Sequence, residues 1–106
     1  MSEGILRVRR EYGGWRHYIG LPNGDQDDLH CGSALEVCVG RWEEETGGER
    51  LVPDHWLAGR YEANLRGENR DDVEAYLYLG SCYPVCDELA CGIPLGIKVR
   101  RPGRSQ

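Results

Sequence analysis

Trp56-Leu57-Ala58-Gly59-Arg60-Tyr61-Glu62-Ala63-Asn64 is the stretch on which the fold turns. It reads as a β-strand with a large anchor at Trp56 and a glycine, Gly59, that leaves room for a neighbouring backbone. Residues i and i+2 of a strand share a face, so Arg60 and Glu62 point one way and Tyr61 and Ala63 the other. Upstream, Leu29-His30-Cys31-Gly32 leads into Leu35–Val39, which puts Leu35, Val37 and Val39 inward and Glu36 and Cys38 outward.

The same alternation recurs on both sides. Ile5–Arg10 sets Leu6 and Val8 against Arg7 and Arg9, a half-buried pattern. After a turn at Glu11-Tyr12-Gly13-Gly14, Trp15–Ile19 returns with Trp15, His17 and Ile19 together. Val73–Leu79 divides into Val73, Ala75, Leu77 and Leu79 against Glu74, Tyr76 and Tyr78. Leu95–Arg100 closes the series with Leu95, Ile97 and Val99 inward and Lys98 and Arg100 outward. Between the strands, Gly20–Asp28 reads as a loop with a Pro-Asn-Gly turn, and Arg41–Asp54, turning at Thr46-Gly47-Gly48, as an extended hairpin tip or an insertion. Arg66–Asp72 reads as a mobile polar turn. Ser81–Leu89 reads as irregular, broken at Tyr83-Pro84, with a helical turn at Cys86-Asp87-Glu88-Leu89.

A chain of 106 residues with 15 glycines and five prolines suits short strands and tight turns. It suits a helical bundle poorly, since each interior glycine costs a helix about 1 kcal/mol. We therefore expect one all-β domain over residues 1–106. Its predicted form is a small SH3-like antiparallel barrel or roll of five to six strands, with elaborated loops, little helix and a disordered tail at 101–106. No apolar run approaches the ~20 residues of a membrane span, so no membrane partner is expected. The first residues lack a basic segment followed by an apolar one. The expectation is a cytoplasmic chain whose five cysteines are reduced or bind metal.

Net charge is −5, unevenly spread. Residues 1–20 carry four arginines against two glutamates, and 97–106 carry four cations and no acid, whereas 21–96 hold sixteen acids and five arginines. Paired terminal strands would place Arg7, Arg9, Arg16, Lys98 and Arg100 on one ridge with Tyr18 as a stacking platform, a candidate nucleic-acid surface. A sequence pI of about 5.1 argues against a whole domain built for that purpose. The acidic body, with Glu43, Glu44 and Glu45 at its hairpin tip, could instead imitate a phosphate backbone. A third surface joins Trp56, Arg60, Glu62, Tyr76 and Tyr78, a composition suited to protein interfaces; the bland reading covers those tyrosines with the 80–91 segment.

Cys82-x3-Cys86-x4-Cys91, with His30-Cys31 supplying a fourth ligand, Cys31 first, would permit zinc. The Cys-x2-Cys knuckles of structural zinc sites are missing, which favours packed thiols and no cofactor. Cys31 beside His30 on a strand cannot use that histidine as a base, because neighbours face opposite ways. No enzyme is expected.

Three blocks carry a resemblance: Leu29-His30-Cys31-Gly32 with Leu35-Glu36-Val37, Trp56-Leu57-Ala58-Gly59-Arg60-Tyr61-Glu62, and Leu89-Ala90-Cys91-Gly92-Ile93 leading to Lys98-Val99-Arg100, with Tyr76-Leu77 between. In these the chain resembles the domain-of-unknown-function 5348 family, short bacterial and mobile-element proteins. It departs by additions around 43–54, 65–72 and 80–88. The resemblance implies a small β fold and a mobile-element or phage-defence context, and brings no activity. The expected function is a binding module for a protein or nucleoprotein partner, in one form an acidic inhibitor of a nucleic-acid-handling complex. The alternatives are a nucleic-acid-binding barrel and a zinc-stabilised β domain.

Overall fold

The computed structural model describes residues 3–82 and 86–102, the side chains of 41–42, 53–54, 81–82 and 86–87 excepted. Among the described residues eight strands, not the five to six expected, form one antiparallel sheet. They are β1 Glu3–Glu11, β2 Gly14–Gly20, β3 Gln26–Asp28, β4 Ala34–Glu45, β5 Gly48–Asn64, β6 Glu74–Cys82, β7 Cys86–Ile93 and β8 Lys98–Arg100, with a 3-10 turn at Arg70–Asp72. The number is higher because the short polar β3 and the small-residue β7 add to those with an apolar row. The order across the sheet is β3-β2-β1-β8-β4-β5-β6-β7. The terminal strands pair as expected: Glu3, Gly4 and Ile5 lie opposite Arg100, Val99 and Lys98.

Alternation sorts the side chains. Leu6, Ile19, Leu35, Val37, Tyr61, Ala75, Leu77, Ile93 and Val99 come from the inner rows of seven strands and join Leu29 in one buried cluster. Burial of such side chains is worth about 1.5–3 kcal/mol each. Gly59 permits this packing: a β-carbon there would come within 2.5 Å of the Tyr78 carbonyl oxygen and 2.8 Å of Leu77 Cγ.

The sheet does not close into a barrel; β3 and β7 are its two edges. It rolls far enough for the linking segment to span the gap at one end. Leu29 N donates to His17 O on β2 (3.0 Å), and Gly32 N donates to Tyr61 O on β5 (2.8 Å), with Tyr61 N returning to Ser33 O (2.7 Å). Past β5 the sheet continues through β6 and β7.

The expected strand Leu95–Arg100 is shorter, with Leu95 exposed in a turn and β8 confined to Lys98–Arg100. Four further local expectations change. Gln26–Asp28, read as loop, is strand β3 against β2. Residues 86–89, read as a helical turn, belong to strand β7 on β6, with Leu77 opposite Cys91 and Tyr78 opposite Ala90. Tyr83-Pro84 lies outside the described residues. The polar turn at 66–72 is tied down: Trp15 Nε1 donates to Gly67 O (3.1 Å) and Arg10 Nη1 to Glu68 O (2.9 Å). Arg101, placed by sequence in a disordered tail, donates twice to Asp27 (3.0 and 2.9 Å) and once to Asp28 O (2.7 Å). Thus polar and charged contacts, which leave no periodic trace, order all but the 86–89 segment.

The 41–54 hairpin tip is a two-stranded arm. Glu43 lies opposite Arg50, Glu44 opposite Glu49 and Glu45 opposite Gly48, beyond a register shift between Val39 and Arg41.

Candidate partner-binding face

The register brings the aromatic candidates together on the outer face of β8, β4, β5 and β6. Arg60 lies opposite Tyr78 and Glu62 opposite Tyr76. The Arg60 guanidinium stands 5.1 Å from the Tyr78 ring centroid, a cation–π contact worth about 0.5–1 kcal/mol at an exposed site. The Tyr76 hydroxyl donates to Glu74, which raises the phenol pKa because the neutral form makes the bond. On the other side of β5, Trp56 lies under the Arg100 guanidinium at 3.9 Å, and Arg100 Nε donates to Glu36 Oε1 at 2.5 Å. Arg100, expected on the cationic ridge, therefore belongs to this face as well. Its partner Glu36 was legible only as an outward residue.

The remaining ridge residues do share one side, but all except Arg7 have an acid within ion-pair range. Arg9 Nη1 reaches Asp28 Oδ1 at 2.7 Å, and Arg9 Nη2 reaches Asp28 Oδ2 at 3.0 Å and Glu11 at 2.8 Å. The Asp28 bond raises the Arg9 pKa, and the Arg9 bond lowers that of Asp28. Arg9 also covers the Tyr18 ring at 5.3 Å. Arg16 Nη1 donates to Leu29 O (3.1 Å) and lies 3.0 Å from His30 Nδ1, while its buried Nε, 3.5 Å from Glu11, makes no hydrogen bond. Lys98 pairs with Glu3 at 2.9 Å, which raises the lysine pKa and lowers that of the glutamate. Arg7 is exposed and has no acid in ion-pair range among the described residues. It lines a groove of about 560 Å³ with Tyr18, Gly20, Gln26 and Lys98. The acids that quench the ridge lie up to 95 residues away in sequence, where no local pattern reveals them.

Glu43 and Glu45 share Arg50 on the arm, at 3.6 and 2.9 Å. Glu44 and Glu49, both exposed, face each other with no cation beside them among the described residues. The zinc candidates are not gathered as far as they are described: Cys31 is an exposed residue of the turn before β4, and Cys91 an exposed residue of β7, three strands away. The side chains of Cys82 and Cys86 lie outside the description. Among the described residues no three histidine, cysteine, aspartate or glutamate side chains converge on a metal-sized site. His30 and Cys31 occupy a turn closed by Ser33 N donating to His30 O (2.9 Å), not the strand expected from sequence.

A buried pair escaped the sequence. His17 Nδ1 lies 2.6 Å from the Tyr61 hydroxyl, ring edge to face, and both residues are 1% exposed. Burial pushes the imidazole down to about 4 and the phenol up. A neutral, hydrogen-bonded histidine in the core stiffens the fold and offers nothing to solvent.

Among the described residues no helix is long and apolar enough to cross a membrane. Comparison with known proteins finds no matching family model, no matching curated protein and no matching solved structure.

Proposed function

We propose that the chain is a non-catalytic binding module that takes a protein or nucleoprotein partner on the outer face of β4, β5 and β6. The observation that carries this reading is Arg60 stacked on Tyr78, flanked by Tyr76 on one side and by Trp56 under Arg100 on the other. Arginine and aromatic side chains held flat on a rigid sheet lose little entropy on docking, and they dominate measured interface energies. A mobile-element context, and the relationship to the 5348 family behind it, are part of the proposal and rest on the sequence blocks alone.

The runner-up nucleic-acid reading is weakened by the ion pairs of Arg9, Lys98 and Arg100, whose cations already have their anions. An inhibitor that offers its acids to a basic channel finds its best support in Glu44 and Glu49, set opposite each other on the projecting arm.

The test is recovery of a stoichiometric partner from source cells, followed by affinity measurement with the purified pair. Tyr78→Ala and Arg60→Ala should each weaken the complex about tenfold or more, a hot-spot effect, while Arg7→Ala leaves it unchanged. Equal binding by wild type and Tyr78→Ala would overturn the assignment of this face. Loss in Arg7→Ala, with a steep salt dependence, would transfer the function to the ridge.

A further inference from the structure

We infer that β7 is a docking edge for an extended segment of a protein partner in which apolar residues alternate with basic ones. This rests on the binding-module reading and gives that partner a chemistry.

The two edges of the sheet are built differently. β3 has three residues, and all are tied: Gln26 and Asp28 accept from Arg9, and Asp27 from Arg101. Such an edge is blunted against further pairing. β7 has eight residues and contains no proline, lysine or arginine. Glu88 to Gly92 are all exposed. Its guards stand at one end, the acids Asp87 and Glu88 and the register shifts at Gly80 on β6, so that from Leu89 to Gly92 the described edge carries neither charge nor proline against another strand.

The two rows of β7 state what that strand must bring. Leu89, Cys91 and Ile93 form the inner row, where Ile93 is buried but Leu89 is 44% exposed and Cys91 also open. An added strand with apolar residues on that side would extend the core. In the outer row Gly92 lies opposite Tyr76 and Ala90 opposite Tyr78. A β-carbon at Gly92 would meet nothing within 4 Å. The tyrosine rings are thus separated from the edge by a step with almost no side chains, across which a long side chain can reach them. On that side Glu62, Glu74 and Glu88 stand with Arg60, which is already stacked on Tyr78, while Arg70 and Asp71 line the groove at the Gly92 end and offset each other. Arginine or lysine in the outer row of the incoming strand would meet both the carboxylates and the rings. A second copy of this chain pairing through β7 brings no cation, because β7 has none, and so leaves the carboxylates unanswered.

The experiment is amide hydrogen exchange and NMR on the whole chain titrated with a short synthetic peptide of alternating valine and arginine, with its valine–glutamate counterpart as control. Slowed exchange at β7 amides, shifts at Tyr76 and Tyr78, and no binding of the control are expected. Ala90→Lys guards the edge and should weaken binding about tenfold with an unchanged unfolding midpoint. Protection confined to the Glu44–Glu49 arm, or no effect of Ala90→Lys, overturns the inference in favour of non-specific charge attraction. Protection of β7 that grows with protein concentration in the absence of peptide overturns it in favour of self-association. A natural partner lost in Tyr78→Ala but held by Ala90→Lys sinks this inference alone; one held by both variants sinks the functional reading.

Discussion

His17 shows what a single position can and cannot announce. Its place beside Trp15 and Ile19 on one strand face follows from alternation. Its partner, Tyr61, stands 44 residues away and becomes a neighbour only when the sheet rolls. Burial lowers the imidazole from an ordinary 6.5 to about 4. The unfolded chain therefore binds a proton that the folded state refuses between those values. Stability rises with pH across that window and is lost as pH falls through it. The full difference corresponds to about 3 kcal/mol, at about 1.4 kcal/mol per pH unit. Urea midpoints measured from pH 4 to 6.5 should fall toward acid, and His17→Phe should flatten that slope, whatever constant cost it adds by orphaning the Tyr61 hydroxyl. An undiminished slope in His17→Phe would assign the acid sensitivity to carboxylates such as Asp28 instead. Gly59 is the contrary case: its need for a close backbone was readable from its place in a strand, and the Tyr78 carbonyl supplies that backbone.

Elements differ in how plainly they were written. Strands with an apolar row were legible because period-two burial leaves a pattern, and the arm at 41–54 because its turn glycines interrupt two extended runs. β3 and β7 were not. Gln26-Asp27-Asp28 has no apolar row at all and is held by Arg9 and Arg101, while β7 presents small residues where a strand normally shows branched ones. The face around Arg60 was legible as a set of outward residues; the quenching of the ridge by Glu3, Glu36 and Asp28 was not, since pairing partners are fixed by register. On the arm, register makes one unfavourable contact. Glu44 faces Glu49, and like charges directly opposite destabilise a hairpin by a few tenths of a kcal/mol. Glu49→Lys should replace that repulsion with a cross-strand ion pair, gaining about 0.5 kcal/mol, read as a thermal midpoint raised by a few degrees at low salt and little at high salt. A midpoint that falls, or a gain that survives high salt, would mean the pair is not electrostatic in effect.

At the scale of the whole molecule, three residues hold the two halves of the sheet together. β8 is the strand between β1 and β4: Val99 lies opposite Gly4 on one side and Val37 on the other, is fully buried, and completes a register that carries Arg100 to Glu36 and Trp56. On one side of it stand β1, β2 and β3; on the other, β4 to β7. Without β8 the sheet order is interrupted, and the halves keep the bridge at Leu29–Ser33, the bonds from Trp15 and Arg10 to the 67–68 turn and the contacts of their inner faces. A chain ending at Gly96 should therefore retain hairpins but lose cooperativity. Trp15 stands on the first half with its indole bonded to Gly67 of the second, and Trp56 stands within the second, so single-tryptophan variants can follow the junction and the second half separately. In the full chain the two fluorescence transitions in urea should coincide, as a two-state domain requires; in the shortened chain the Trp15 transition should move to lower denaturant and part from that of Trp56. Val99→Ala, which keeps β8 but removes part of its buried contact, should lower both midpoints together, for a loss of about 1–2 kcal/mol in unfolding free energy. If the shortened chain still unfolds in a single coincident transition, the Leu29–Ser33 bridge, the bonds of Trp15 and Arg10 to the 67–68 turn and the inner packing are sufficient to unite the sheet, and β8 serves to place Arg100 rather than to join the fold.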